Sequence, residues 1–144
     1  QHNFQLNKFE GDFMQGYIGA SHIEPSVFID WDGKNFPSIQ VSIDWYLKDK
    51  KIDKLHILQA DIQDNEAELL EGMRDTLANK KVDFLFLGTH SPNYPFRKTL
   101  LDSGYHILEE YEVTESFFDD GLILACTPEM FNQVDQSLFT VSKK

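Results

Sequence analysis

Two apolar runs of strand length flank an amphipathic segment in the middle of the chain. The first run, from Lys54 to Asp61, ends in a carboxylate, and the second, from Val82 to Leu87, leads into Thr89 and His90. This pattern predicts a strand–helix–strand unit with a parallel pair of strands. Because ligands of open parallel sheets bind beyond the carboxyl ends of the strands, we expect these polar residues to face a binding crevice.

The predicted helix between the two strands rests on apolar residues at three- and four-residue spacing: Ala67, Leu70, Met73 and Leu77. Asn65 is the expected cap of this helix, with Glu68 three residues later as in a capping box. Asn79 and the two lysines that follow it predict where the helix ends.

Further strands, turns and short helices are predicted on both sides of this unit. Upstream they are a strand at Asp12–Ala20, a turn at His22–Pro25, strands at Val27–Trp31 and Ile39–Ile43 joined by a hairpin turn at Asp32-Gly33, and a helix at Asp44–Lys51. Downstream they are a helix at Phe96–Ser103, a strand at Tyr105–Val113, a turn at Phe117–Gly121, a strand at Leu122–Thr127, and a docked tail with Met130, Phe131, Leu138 and Phe139. The last two strands predict an antiparallel pair at one edge of a mostly parallel sheet.

Composition narrows the classes of function. The 144 residues suit a single domain, and their net charge of −11 argues against binding to a phosphate backbone. No apolar run reaches the roughly 20 residues of a membrane span. The single cysteine, Cys126, excludes an internal disulfide and indicates a reducing, cytoplasmic compartment, and we expect it to be a small core residue. The chain begins at Gln1 without Met, so we expect a trimmed or partial product.

Three motifs, taken in order, resemble those of one enzyme family. They are Asp61-Ile-Gln-Asp-Asn-Glu66, Thr89-His90-Ser91, and Asp120-Gly-Leu-Ile-Leu-Ala125, preceded by Val41-Ser-Ile-Asp44. Together they resemble the FkbM family of S-adenosylmethionine-dependent methyltransferases, which are mostly O-methyltransferases, and the resemblance covers roughly residues 11 to 127. The family carries Gly and Ala where this chain has Asp64 and Asn65, so its substrate or activity is expected to differ.

The resemblance implies an α/β fold with a partial Rossmann-like class I methyltransferase sheet, mostly parallel with an antiparallel C-terminal edge pair. Residues 1–144 then form a single domain, the C-terminal part of a methyltransferase domain whose first two strands are missing. Asp12–Ala20 corresponds to the third strand of such a sheet. The Gly-rich turn that holds the methionine end of the cofactor, and the acid that holds its ribose, are absent from this chain.

The missing strands have a physical consequence for the central unit. In the family's sheet they lie between the third strand and the strand that corresponds to Lys54–Asp61, which is therefore predicted to have an open edge. Because an exposed edge strand must be paired or covered, we expect an upstream segment, a partner chain in a homo-oligomer or a domain swap to cover it.

The resemblance also assigns residues to the site. His90 is the expected catalytic base, since an imidazole accepts a proton near neutral pH, and Asp61 is expected to be catalytic and to contact the cofactor. Gln63, Glu66 and Ser91 are expected to bind substrate. The structural alternatives are that Asp61 is only a helix cap and that His90 is a hydrogen-bonded structural residue. Asp61 and His90 together supply two metal ligands, which do not make a metal site.

Two hypotheses from different classes follow. The first is an S-adenosylmethionine-dependent methyltransferase that acts on a hydroxyl of a small molecule or sugar, with no nucleic-acid or membrane partner. The second is a non-catalytic structural or interaction module derived from a methyltransferase fold. A weaker third hypothesis is an unrelated small α/β domain, which strand order would distinguish.

Overall fold

The chain folds into a mixed α/β structure with two β-sheets. The computed structural model describes residues 2–29, 32–116, 120–135, 137 and 139. Its strands are β1 (Tyr17–Ile18), β2 (Ile23–Ile29), β3 (Asn35–Val41), β4 (Leu55–Ala60), β5 (Val82–Thr89), β6 (His106–Tyr111) and β7 (Gly121–Cys126). Its helices are α1 (His2–Leu6), α2 (Ile43–Lys50), α3 (Glu66–Glu71), α4 (Arg74–Ala78), α5 (Tyr94–Asp102) and α6 (Pro128–Phe131), with a 3₁₀ turn at Val113–Glu115.

The larger sheet has the strand order β4–β5–β7–β6. β4 and β5 are parallel, whereas β7 lies antiparallel between β5 and β6. Only one of the three strand pairings is parallel, so the sheet is mixed and not mostly parallel as predicted, whereas the antiparallel pair predicted at the C-terminal edge is confirmed. The turn predicted at Phe117–Gly121 falls largely on residues 117–119, which lie outside the described residues. β4 forms the other edge, and no described strand pairs with its outer side, as predicted.

The smaller sheet, in the order β1–β3–β2, corrects the upstream predictions. The strand predicted at Asp12–Ala20 is reduced to Tyr17–Ile18, because residues 10–16 are exposed and glycines on either side weaken the strand. β1 pairs with β3 in this separate sheet, so its assignment as the third strand of the larger sheet is wrong. The turn predicted at His22–Pro25 is also wrong, since β2 begins at Ile23 and its edge position tolerates a proline.

The hairpin predicted around Asp32-Gly33 is confirmed. β2 and β3 pair antiparallel up to Ile29 and Asn35, and Gly33 takes a φ of +74° that suits a tight turn. Asp30 and Trp31 of this predicted segment lie outside the described residues, as does Leu138 of the tail.

Two short helices, rather than the single predicted one, connect β4 to β5. The carbonyl of Gly72 accepts the amide of Asp44 at 2.9 Å, which ends α3. The Asp44 carboxylate then caps α4 by accepting the amides of Asp75 at 3.0 Å and Thr76 at 2.8 Å. Asn65 occupies the predicted N-cap position of α3, but its side chain makes no capping hydrogen bond and its backbone lacks the extended conformation of a cap.

Helices α2 and α5 confirm the predicted helices at Asp44–Lys51 and Phe96–Ser103 within two residues at each end. In α5, Leu100 is buried, whereas Leu101 is 47% exposed and does not point inward as expected. Among the described residues, no helix combines the length and the apolar character needed to cross a bilayer.

The hydrophobic core lies between the larger sheet and α3, α4 and α5. Its most buried members are Leu69, Met73, Leu77, Val82, Leu85, Leu87, Leu100, Ile123 and Ala125. Cys126 is fully buried beside this core, as predicted, and burial raises the pKa of its thiol to about 11. Burial likewise raises the pKa of Tyr105 to about 12, and its hydroxyl donates to the carbonyl of Val82 at 3.0 Å.

A buried carboxylate joins the starts of β4 and β5. Asp83 is 4% exposed, and its two oxygens lie 2.8 Å from Lys54 Nζ and 2.9 Å from His56 Nδ1. Burial alone would raise the pKa of Asp83, but the hydrogen bonds from Lys54 and His56 outweigh it, so the pKa lies below the ordinary 3.8. Stability from this cluster is therefore present above pH 3.8 and is lost as the pH falls through the lowered pKa.

Replacing Asp83 with asparagine should lower the free energy of unfolding at pH 7 by about 1–3 kcal/mol, because Lys54 and His56 lose a charged acceptor. The variant should also lose part of the acid sensitivity that the wild-type protein shows below about pH 4. Urea denaturation at several pH values measures both effects. Asp53→Asn, an exposed change nearby, is the control and should stay within about 0.5 kcal/mol. Equal unfolding curves for Asp83→Asn and wild type would contradict a stabilising role for the cluster.

Candidate active site

The carboxyl ends of β4 and β5 meet at one edge of the larger sheet. Ala60 pairs with Leu87 in the parallel ladder, so the residues that leave the two strands, Asp61 and His90, come side by side. His90 Nε2 lies 3.3 Å from an Asp61 carboxylate oxygen. The proximity predicted from the strand–helix–strand pattern is therefore present.

Glu66 contacts the other ring nitrogen of His90. It is the first residue of α3 and is fully buried, and its Oε1 lies 3.1 Å from His90 Nδ1. The amide of Ile62 donates to the same oxygen at 3.4 Å. The second oxygen of Glu66 is buried and has no hydrogen-bond partner among the described residues. An unpaired buried carboxylate oxygen costs about 1–3 kcal/mol or more, which marks this position as a candidate for ligand contact.

The hydrogen bonds of His90 indicate which ring nitrogen carries its proton. Carboxylate oxygens lie near both nitrogens, whereas the side-chain amide nitrogen of Gln63, which only donates, lies 2.9 Å from Nε2. A neutral His90 that accepts this bond at Nε2 carries its proton on Nδ1 and donates it to Glu66 at 3.1 Å. The pairing of Glu66 with Nδ1 resembles the carboxylate–histidine pair of catalytic triads.

Asp120 completes the surroundings of His90 and was not predicted as a site residue. One of its carboxylate oxygens lies 3.4 Å from His90 Nε2. It immediately precedes β7, so the insertion of β7 beside β5 brings it to the site. The available signal was its place at the head of the motif Asp120–Ala125, to which no role was assigned. The side chains of Asp61 and Asp120 are half exposed, whereas the side chain of His90 is only 12% exposed.

Ser91 was predicted to bind substrate, but the described hydrogen bonds do not join it to His90. The neighbouring Thr89 is the structural member of this segment: it is fully buried, and its hydroxyl donates to Asn93 Oδ1 at 2.6 Å. Asn93 in turn donates to the carbonyl of Tyr111 at 2.9 Å, and its amide donates to Glu112 at 3.0 Å. These bonds hold the turn after β5, and with it His90, against the 111–112 segment.

The loop between β4 and α3 holds Gln63 in a strained backbone conformation. Gln63 and Asp64 have φ values of +55° and +72°, the left-handed region that L-residues seldom adopt. This explains why the resembling family carries glycine at the position of Asp64. Strain of this kind occurs where a loop must present a side chain in one orientation, and here that side chain is Gln63.

Replacing Asp64 with glycine should raise the free energy of unfolding by about 0.5–1 kcal/mol, because glycine adopts a φ of +72° without steric cost. Thermal or urea denaturation measures the change. Asp75→Gly, a matched change within α4, should instead destabilise the protein. Destabilisation by Asp64→Gly would show that the carboxylate of Asp64 contributes more than its backbone strain costs.

The described part of the chain contains no group of three or more histidine, cysteine or acidic residues arranged to hold a metal ion. The contacts of His90 define the chemistry available at this site: Nε2 can accept a proton, Glu66 orients the ring, and three carboxylates surround it. Such a site can accept a proton from a hydroxyl and stabilise the resulting imidazolium.

Comparison with known proteins bears on this site. The family model described as the methyltransferase FkbM domain matches residues 10–138. Neither the curated proteins nor the solved structures gave a significant match. The family match includes the four residues described above in contact with His90, which are Asp61, Gln63, Glu66 and Asp120. The chain belongs to the FkbM methyltransferase family.

Proposed function

We propose that this protein is an O-methyltransferase in which His90 removes the proton of an acceptor hydroxyl. The observation that carries the proposal is the contact of His90 Nδ1 with the fully buried Glu66, at 3.1 Å. The second oxygen of Glu66 is buried and has no hydrogen-bond partner among the described residues, so the ion pair with His90 is the main contact that offsets the burial of this carboxylate. Family membership supports methyl transfer, and the orientation of Nε2 supports oxygen as the acceptor atom.

The proposed step is a proton transfer. The acceptor hydroxyl donates its proton to His90 Nε2, and its oxygen becomes nucleophilic. The imidazolium that forms is stabilised by Glu66 on one side and by Asp61 and Asp120 on the other, at 3.1 to 3.4 Å. General base catalysis of this kind contributes about 10²–10⁴-fold in rate. Gln63 gives up its hydrogen bond to Nε2 when the hydroxyl arrives, and it can then bind the acceptor.

S-adenosylmethionine is the methyl donor that family membership implies; when bound, it supplies an electrophilic methyl group. The carboxylates around His90 suit a cationic sulfonium, and the expectation that Asp61 contacts the cofactor stays a prediction. The described residues do not fit the nucleoside part of the cofactor. No Gly-rich turn follows a described strand, and no described acidic residue lies where a ribose would pair with it.

The open edge of β4 is where we propose that the cofactor-binding half joins the sheet. β4 is unpaired on its outer side among the described residues, and Ile57 is 62% exposed there. An edge strand in this state favours pairing with further strands. We propose that they come from the same methyltransferase domain, as the family resemblance implies; a second copy of this chain is the alternative occupant.

Calorimetry with S-adenosylmethionine on the full-length protein tests the proposed function. We expect saturable binding by the full-length protein and weak or absent binding by residues 1–144 alone. Protection of the β4 amides from hydrogen exchange should accompany the longer protein. Protection that depends on protein concentration would identify a second copy as the partner. If the full-length protein does not bind the cofactor, the methyltransferase proposal fails and the non-catalytic module is favoured.

A further inference from the structure

A cleft of about 500 Å³ opens beside the loop that carries Gln63. One wall comes from the smaller sheet, with Tyr17, Ile18, Phe28 and Ile29, and the other comes from Ile62 and Gln63. This volume lies within the range of small-molecule sites. Gln63 lines the cleft and also contacts His90, so the cleft and the proposed base share one side chain.

Apolar and aromatic groups dominate the cleft, and none of the described residues that line it is charged. The Tyr17 and Phe28 rings pack with centroids 5.6 Å apart and form a broad face. The Tyr17 hydroxyl is already bonded to Ser26 at 2.6 Å and lies 3.1 Å from Gln40 Oε1. The wall is therefore held in place by its own contacts, and it offers few free hydrogen-bonding groups.

We infer that this cleft binds the body of the methyl acceptor, and that the acceptor is a neutral hydroxyl compound with an aromatic or other apolar body. The inference rests on the proposed function for the position of the hydroxyl at His90. This inference narrows the class of expected acceptor, because the sequence alone predicted a hydroxyl of a small molecule or a sugar.

Three alternatives fit the cleft less well. A sugar carries hydroxyls on every side, and the amides of Gln63 and Asn65 in the described lining are too few to pair with all of them. An anionic acceptor would face the carboxylates of Asp61 and Asp120 and a chain of net charge −11. A nucleoside is commonly held by an acid on its ribose, and the described lining has none.

The smaller sheet is fixed against α3 by a close backbone contact. A Cβ atom at Gly72 would collide with the carbonyl oxygen of Gly19, next to Ile18 in the cleft wall. The amide of Ala20 also donates to the Glu68 carboxylate at 3.2 Å. The distance between the cleft wall and the helix that carries Glu66 is therefore set by packing, as a preorganised binding site requires.

Ligand-detected NMR on the full chain tests the inference without requiring methyl transfer. The probes are 2-naphthol, its 6-sulfonate, methyl glucoside and adenosine. We expect 2-naphthol to bind, the sulfonate to bind about tenfold or more weakly, and the other two not to bind at the cleft. Ile29→Ser, in the cleft wall, should weaken 2-naphthol binding about tenfold, whereas the matched Ile23→Ser in the same strand should not.

The outcomes separate this inference from the proposed function. Binding of 2-naphthol that Ile29→Ser weakens and Ile23→Ser does not supports the cleft, even if no methyl transfer is found and the proposed function fails. Binding that Ile29→Ser and Ile23→Ser affect equally overturns the inference. Adenosine binding that only Ile29→Ser removes also overturns it, because the cleft would then be a nucleoside site.

Discussion

Replacing His90 with alanine in the full-length protein is expected to lower the turnover number for methyl transfer about 10²–10⁴-fold. The physical reason is the loss of the proposed base at Nε2, which no other described side chain at the site replaces with the same orientation. Stability should fall by only about 1–3 kcal/mol, because Glu66 loses its partner in the buried site. Steady-state kinetics and urea denaturation measure the two effects separately.

A double variant separates catalysis from folding at this position. In the His90→Ala variant the buried carboxylate of Glu66 has lost its partner. Adding Glu66→Gln removes this charge, so the free energy of unfolding should recover while the turnover number stays low. His56→Ala is the control for a histidine at the far end of β4, 87% exposed, and should leave turnover within about twofold. Loss of turnover in proportion to loss of folded protein would show that His90 has only a structural role.

The single change Glu66→Gln is expected to lower turnover about 100-fold while the KM for the acceptor stays nearly constant. A neutral amide either donates to Nδ1, which places the ring proton on the wrong nitrogen, or accepts from it without stabilising the imidazolium. Stability should be unchanged or higher, because a fully buried charge has been removed.

The kinetic and stability effects of Glu66→Gln therefore point in opposite directions, which a structural role alone does not produce. Glu71→Gln, at the exposed end of the same helix, is the matched control and should alter neither quantity. A parallel fall in stability and turnover for Glu66→Gln, or a rise in the acceptor KM alone, would contradict its role in orienting His90.

The central part of this site was predictable because patterns of neighbouring residues in the sequence indicate it. Apolar runs of strand length identify β4 and β5, and parallel pairing of such strands places Asp61 near His90. The φ of +72° at Asp64 was not predicted, although the glycine that the resembling family carries at this position was an available indication of it.

The remaining features depend on contacts distant in sequence. Asp120 lies near His90 because β7 inserts between β5 and β6, and no pattern of neighbouring residues predicts this strand order. Acidic residues in a first helical turn are usually exposed, so periodicity did not indicate that Glu66 is buried. The break between α3 and α4 depends on Asp44, which lies on another helix and caps the start of α4. Propensity rules indicated a cap only at Asn65, at the start of α3.

The glycine contact behind the cleft suggests how this protein could acquire new acceptors. Position 72 acts as a spacer: a Cβ atom there would collide with the carbonyl oxygen of Gly19, so the Tyr17–Ile18 wall or α3 would have to shift. Under the proposed function, the width available to the acceptor then depends on a residue that does not itself contact His90. Substitution at position 72 could therefore change the width of the cleft while the residues that contact His90 stayed the same.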